Sequence, residues 1–217
     1  MIIAIDGPAG AGKSTVAKAL AQRLNVFYLD TGAMYRALTL KAMRNKVNLE
    51  DGPALGGLAQ KTKIELKISV PGLRVLLDGQ DVSEEIRSLE VTNNTFYIAR
   101  SPEVRAIMVG WQRGIGQRQS VVAEGRDIGT VVFPGAAKKF YLDADFQERA
   151  LRRIKELKEK GKAVNEGELT KELFERDQKD LTRKVGPLKK ADDAIVIDTT
   201  HLNIEQTVEK ILGYLKS

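Results

Sequence analysis

Residues Gly7-Pro8-Ala9-Gly10-Ala11-Gly12-Lys13-Ser14 fit the phosphate-cradling pattern G-x-x-x-x-G-K-[ST], and no other feature of the chain restricts its fold as much. Such a loop works only between a strand and a helix. Ile2-Ile3-Ala4-Ile5 ahead of it reads as a buried strand. Behind it, Val16, Ala17, Leu20, Ala21 and Leu24 share one helical face. Glycines let backbone N–H groups curl around phosphate oxygens, and the helix N-terminus adds partial positive charge. In such a loop Lys13 bridges the terminal phosphates and the Ser14 hydroxyl ligates magnesium.

The rest of the chain alternates strands and helices. Val26-Phe27-Tyr28-Leu29 reads as a strand ending at Asp30, and a helix is predicted from about Ala33 to Arg44. Val121-Val122-Ala123, Phe140-Tyr141-Leu142 and Ala194-Ile195-Val196-Ile197 read as further buried strands. Ile204, Val208, Ile211, Leu212 and Leu215 mark a last helix. This order predicts an α/β fold of three layers, a central parallel sheet with helices on both faces. Ligands on such sheets bind at the carboxyl ends of the strands. Four segments end there in polar residues: Asp6-Gly7, Asp30-Thr31-Gly32, Glu124-Gly125-Arg126-Asp127 and Asp143.

Two segments break the alternation. Between Ile64 and Val82, the residues Ile64, Leu66, Ile68 and Val70, then Val75 and Leu77, alternate with polar ones, with turns at Pro71-Gly72 and Asp78-Gly79. A small inserted antiparallel sheet is expected there. From Phe146 to Pro187 the chain carries 12 Lys/Arg against 9 Asp/Glu, in two helical stretches around Gly161-Lys162-Ala163-Val164-Asn165. It is either a helical lid or a solvated helical pair.

Composition excludes several chemistries. The chain has no cysteine, so it has neither disulfides nor thiolate metal sites, which fits a cytoplasmic location. Its one histidine, His201, reads as a surface residue, which leaves histidine acid–base catalysis and multi-histidine metal sites without candidates. No run of eighteen apolar residues and no export signal is seen, so no membrane partner is expected. The net charge of +6 calls for anionic partners. Because the charges are dispersed, a small polyphosphate ligand suits the chain better than nucleic acid.

The arginines suggest a second site. Ser101, Pro102 and Glu103 form a helix start, with Val104, Ile107, Met108, Trp111 and Ile115 on its buried face. Trp111 is then core, and Arg105 flanks that face, within reach of a cleft. Arg176, Asp180 and Arg183 form one stripe at i, i+4, i+7. They serve either as surface ion pairs or as clamps on phosphates. Arg36 lies six residues after Asp30, and Arg126-Asp127 follow a strand. Glu124 at that strand end either orients magnesium's water shell or caps the strand.

Along nearly its whole length the chain resembles the bacterial cytidylate kinases. The segments that carry the resemblance are IDGPAGAGKST at 5–15, LDTGAMYRAL at 29–38, LDGQDVSEEIR at 77–87, PEVR at 102–105, EGRDIGTVVFP at 124–134 and ERDQKDLTR at 175–183. The resemblance implies a P-loop nucleoside-monophosphate-kinase fold in one unit. Its core would be 1–60 and 97–217, its inserted monophosphate-binding domain 61–96 and its lid 146–187. It implies transfer of the γ-phosphoryl group of ATP to CMP or dCMP, with Mg²⁺, by a monomer. ATP would be held by Gly7, Pro8, Ala9, Gly10, Ala11, Gly12, Lys13, Ser14 and Thr15. Arg36, Arg126 and Arg183 would hold the acceptor phosphate, Arg105 and Asp127 would read the cytosine, and Arg176 and Asp180 would meet sugar and phosphate. Thr31 stands where the family often has serine, and it keeps the hydroxyl. Phe96 stands where some members have a serine near the nucleoside, so either Thr95 substitutes or Phe96 packs against the nucleoside.

This chemistry needs no general base, because a phosphate monoester, with a second pKa near 6, is already ionised at neutral pH. The obstacle is repulsion. Two unit charges about 4 Å apart at an effective dielectric near 20 repel by roughly 4 kcal/mol. Lys13, Arg126, Arg176 and Arg183 are the cations expected to cancel it. A kinase for UMP, AMP or a hydroxylated acid, and a nucleotide-dependent nucleic-acid-binding protein, are the competing readings.

Overall fold

The computed structural model describes residues 1–217 except 69–71, 160, 162 and 217. Five strands form a parallel sheet: β1 (Ile2–Asp6), β2 (Phe27–Asp30), β6 (Val121–Gly125), β7 (Lys138–Asp143) and β8 (Ile195–Asp198), in the order β2-β6-β1-β7-β8. With both faces covered, the strands can be apolar throughout. In β1, Ala4 joins the core on one face, while Ile3 and Ile5 join the core on the other.

The first face is covered by α2 (Thr31–Arg44), α3 (Gly52–Gln60), α4 (Leu89–Arg100) and α5 (Pro102–Arg118), through Met34, Leu38, Leu55, Ile98 and Met108. The second is covered by α1 (Lys13–Leu24) and α8 (Ile204–Lys216), through Val16, Leu20, Val208 and Ile211. Each such buried side chain contributes about 1.5–3 kcal/mol of hydrophobic stabilisation. Trp111 is half-buried and packs on the first core.

The inserted antiparallel sheet comprises β3 (Ile64–Ile68), β4 (Leu73–Leu77) and β5 (Gln80–Asp81). Val75 and Leu77 pack on Ala33, Ala37 and Leu40 of α2. Val70 and Pro71 of the predicted alternation and its first turn lie outside the described residues, as does Lys162 between the charged helices. Those helices are α6 (Phe146–Glu159) and α7 (Glu166–Thr182).

Sequence patterns alone do not mark α3 or α4. Helix α3 carries three glycines, which depress helix propensity, but Asp51 caps it by accepting from Ala54 N–H at 2.9 Å. Helix α4 continues through Phe96 and Tyr97 to Arg100. Helix α2 starts earlier than its periodicity suggests, at Thr31, because Asp30 caps it through Ala33 N–H at 2.7 Å.

The end of β1 is tied to the segment after β6 by one carboxylate. Asp6 accepts from the N–H groups of Ile128 and Gly129, both at 2.8 Å, which starts the π-helical turn Ile128–Val132. Burial pushes the Asp6 carboxyl up to about 6, against the pull of those two N–H groups. The folded chain therefore keeps a proton there between about pH 4 and 6 that the unfolded chain has released, and stability falls as pH rises through that window. At neutral pH the loss amounts to about 3 kcal/mol. Urea midpoints from pH 4 to 7 are expected to show this component in the parent and not in Asp6→Asn; identical profiles would disprove it.

Candidate active site

Parallel strands place the loop after β1 and the ends of β2 and β6 side by side. In register, Asp30 lies opposite Glu124, and Asp6 opposite Gly125. The loop follows the central strand, where connections diverge to either side and leave a crevice. Gly7 has φ 147°, and a Cβ there would overlap the Leu142 carbonyl of β7.

Lys13 is buried at the foot of the loop and donates to the Pro8 carbonyl at 2.6 Å. Burial, then the Arg126 guanidinium, push its ammonium down to about 7, and Glu124 opposes this. Glu124 is pushed up by burial and by Asp30, and held back by Lys13. The Ser14 hydroxyl donates to Glu124 Oε1 at 2.6 Å, and the Tyr28 hydroxyl at 3.3 Å. Glu124 thus organises the loop's serine rather than only ending a strand. The Thr31 hydroxyl donates to the Glu124 carbonyl at 2.7 Å.

A cleft of about 1270 Å³ runs from 9–16 of the loop across 124–127 to Phe96 on α4 and to α7. Thr31, Arg36, Arg126, Asp127, Arg176, Asp180 and Arg183 all line it. Arg176 and Asp180 on α7 therefore face inward, and Arg183, expected on the same helix face, lies in extended backbone just past the helix end. Arg126 Nε donates to Asp180 Oδ2 at 2.7 Å, and Arg183 lies 3.9 Å from Asp180 and 3.6 Å from Asp127. Arg36 pairs with Asp30 at 3.2 Å. Burial opposes the charge on Arg126, but Asp180 together with Glu124 and Asp177 outweighs it and raises the guanidinium's pKa. Arg176 makes no hydrogen bond or ion pair among the described residues. Burial, then Arg126, lower its guanidinium to about 10, so it stays charged at neutral pH.

Arg105 and Asp127 form a buried ion pair, and Arg105 also donates to the Tyr35 hydroxyl at 3.3 Å. Arg105 lies behind Asp127, in the wall of the cleft, as do Gly7 and Pro8 behind the loop's rim. Burial raises the Asp127 carboxyl, and Arg105 and Arg183 hold it back.

The structure adds residues that sequence reasoning missed. Gly186, at φ 58°, accepts from Arg183 Nε through its carbonyl, and a Cβ there would overlap both Arg105 and Asp127. Only its glycine identity in a charged loop hinted at this. Arg149 and Asp177 bond to Ala9, and Arg152, Arg153, Thr199 and Asn203 line the cleft beyond the loop. Nothing distinguishes these arginines from others in a charged helix by sequence alone.

A phosphate-binding loop facing a set of guanidinium groups across the strand ends of an α/β sheet marks a phosphotransferase of the P-loop kinase class. The family model described as cytidylate kinase matches residues 3–217. The cytidylate kinase of Alkaliphilus oremlandii is 50% identical over 214 residues, covering 99% of this chain and 97% of that protein. That of Desulforamulus reducens is 51% identical, covering 99% and 96%. The chain belongs to the cytidylate kinase family. Two solved structures share the fold alone. A gluconokinase from Sinorhizobium meliloti has a TM-score of 0.51 at 13% identity, covering 99% of this chain and 90% of that one. An uncharacterized protein from Eubacterium ventriosum has a TM-score of 0.51 at 14% identity, covering 100% and 99%. Among the described residues, no helix is long and apolar enough to cross a membrane.

Two outcomes follow from this geometry. Gly186→Ala is expected to spread the Arg105–Asp127 pair and raise KM for the acceptor at least tenfold, with KM for the donor nucleotide within twofold. Above pH 7 the free enzyme's Lys13 loses its proton, and bound phosphates draw the proton back. Calorimetry at pH 8 in buffers of different ionisation enthalpy should register proton uptake on ATP binding; no uptake would contradict the Lys13 shift.

Proposed function

We propose that the cleft transfers the γ-phosphoryl group of ATP to CMP or dCMP, giving ADP and CDP or dCDP. One observation carries this reading: Arg36, Arg126, Arg176 and Arg183 line the same cleft as Lys13 and the phosphate loop. Asp30, Asp180 and Asp127 serve as counterions to Arg36, Arg126 and Arg183. Incoming phosphates exchange those carboxylate contacts for their own. ATP lies along 7–15, with Lys13 at its terminal phosphates. The acceptor phosphate lies against Arg36, Arg126 and Arg183, and Arg176 with Asp180 meets sugar and phosphate. The acceptor oxygen is already ionised and attacks in line while Lys13, Arg126, Arg176 and Arg183 disperse the charge. Closure of 146–187 over the substrates keeps water from competing as acceptor, and 61–96 helps to hold the monophosphate.

The donor atoms fit magnesium. The Ser14 hydroxyl donates a hydrogen bond to Glu124, which leaves its lone pairs free, and oxygen ligands suit this ion. No group of three or more His, Cys, Asp or Glu that could hold a metal occurs among the described residues. Ser14 and, through water, Glu124 would thus hold it together with nucleotide phosphates. When bound, magnesium would neutralise phosphate charge.

Asp127 selects cytosine. A carboxylate accepts from the N4 amino group of cytosine, whereas uracil offers O4, an acceptor that it repels. Sites built on one buried polar contact discriminate by up to about 10⁴–10⁵. Thr95 already donates its hydroxyl proton to the Val91 carbonyl at 2.7 Å, which supports Phe96 as a packing surface for the nucleoside.

The test is a panel of CMP, dCMP, UMP and AMP with ATP and Mg²⁺. CDP and dCDP are the expected products, and failure to form either refutes the reading. Asp127→Ala is expected to raise KM for CMP at least a hundredfold and that for ATP by less than threefold. An equal loss on both would remove the role given to Asp127.

A further inference from the structure

The buried pair Arg149–Asp177 takes no part in the transfer described above, yet it contacts the phosphate loop directly. Arg149 Nη1 donates to the Ala9 carbonyl at 2.9 Å. Asp177 Oδ1 accepts from the Ala9 N–H at 3.2 Å. The two side chains are ion-paired with each other, both are buried, and Arg149 Nε is held by the Ala144 carbonyl at 3.1 Å. A Cβ on Gly10 would come within 3.0 Å of Arg149 Cβ and of its carbonyl oxygen, so the loop's next residue rests on α6. Both backbone polar groups of Ala9 are thus taken by the two lid helices, one by each. Asp177 lies between Arg176 and Asp180 on α7, both of which line the cleft.

We propose that Arg149 and Asp177 act as one positioning device: they hold the loop's backbone at Ala9 in the conformation that receives the donor phosphates. Three consequences are built in. The Ala9 N–H is withheld from phosphate, so the N–H groups that cradle it come from later in the loop. The Asp177 charge, which would repel phosphate, is cancelled by Arg149. The middle of α7 is anchored, so any lid movement takes place on either side of Asp177. The inference rests on the reading of this loop as the seat of ATP.

The experiment measures ATP binding by calorimetry without acceptor, CMP binding without donor, and steady-state constants. It compares the parent with Asp177→Asn, Arg149→Lys and the double variant Arg149→Met with Asp177→Leu. The double variant removes both charges together, an exchange that buried ion pairs often tolerate without loss of stability. Far-UV circular dichroism and a cooperative melt establish that each protein is folded. In folded variants, ATP binding is expected to weaken at least tenfold and kcat to fall, while CMP binding stays within twofold. A pair that only stabilised the fold would shift Tm and leave that split at one. ATP binding by the folded double variant within twofold of the parent, or equal losses for ATP and CMP, would overturn the inference. A parent that does not bind ATP would instead overturn the assignment of the loop.

Discussion

The structure depends on keeping like charges together out of water. At the carboxyl ends of three strands sit Lys13 and a set of arginines, most of them partly or wholly shielded from solvent. Guanidinium groups crowded in this way repel one another, and burial alone would drive the lysine to release its proton. Carboxylates threaded between them make the arrangement tolerable: Asp180 against Arg126, Asp127 between Arg105 and Arg183, and Asp30 against Arg36. Pairs of this kind gain little net stability, because the desolvation they require offsets much of their attraction. Their value lies in holding several donors in place before any substrate arrives, so that little reorganisation remains for the reaction itself.

The scaffold explains why those donors come from distant parts of the chain. A parallel sheet aligns the ends of its strands, and β6, inserted between β1 and β2, sets Glu124 beside both the loop and Asp30. The charged helical pair then crosses over this edge. Asp180 reaches Arg126, 54 residues away along the chain, and Asp177 reaches Ala9, 168 residues away. The core and the α6–α7 pair are therefore joined by buried polar contacts beside a small apolar cluster of Ala9, Ala150 and Leu173.

Much of this was legible beforehand. Strand–loop–helix order around Gly7–Ser14, the apolar strands and the alternating run at 64–77 each announce themselves by periodicity, since sheet and helix faces repeat at 2 and 3.6 residues. Helices α3 and α4 did not, because glycines in one and scattered polar residues in the other blur the pattern, and packing against α5 and α2 decides their form. At the site, the sequence marks Arg126 and Asp127 as strand-end residues and Arg176, Asp180 and Arg183 as a stripe. Whether the stripe faced water or the cleft was not decidable from spacing, because i, i+4, i+7 describes a face and not what lies opposite it. Gly186, Arg149 and Asp177 carry no signal of their own in the sequence, because their roles rest on contacts with Asp127 and Ala9 from distant segments.

The amino-acid order by itself determined the phosphate loop, the doubly covered parallel sheet and the abundance of cations suited to polyphosphate. These follow from local backbone geometry and from hydrophobic periodicity, which act over a few residues. Only the tertiary structure decided which carboxylate neutralises which arginine, that Ser14 is held by Glu124, and that Ala9 is gripped from both α6 and α7. Those choices depend on distances between segments far apart in the chain and on the exclusion of water between them, and neither quantity is written in any short stretch of residues.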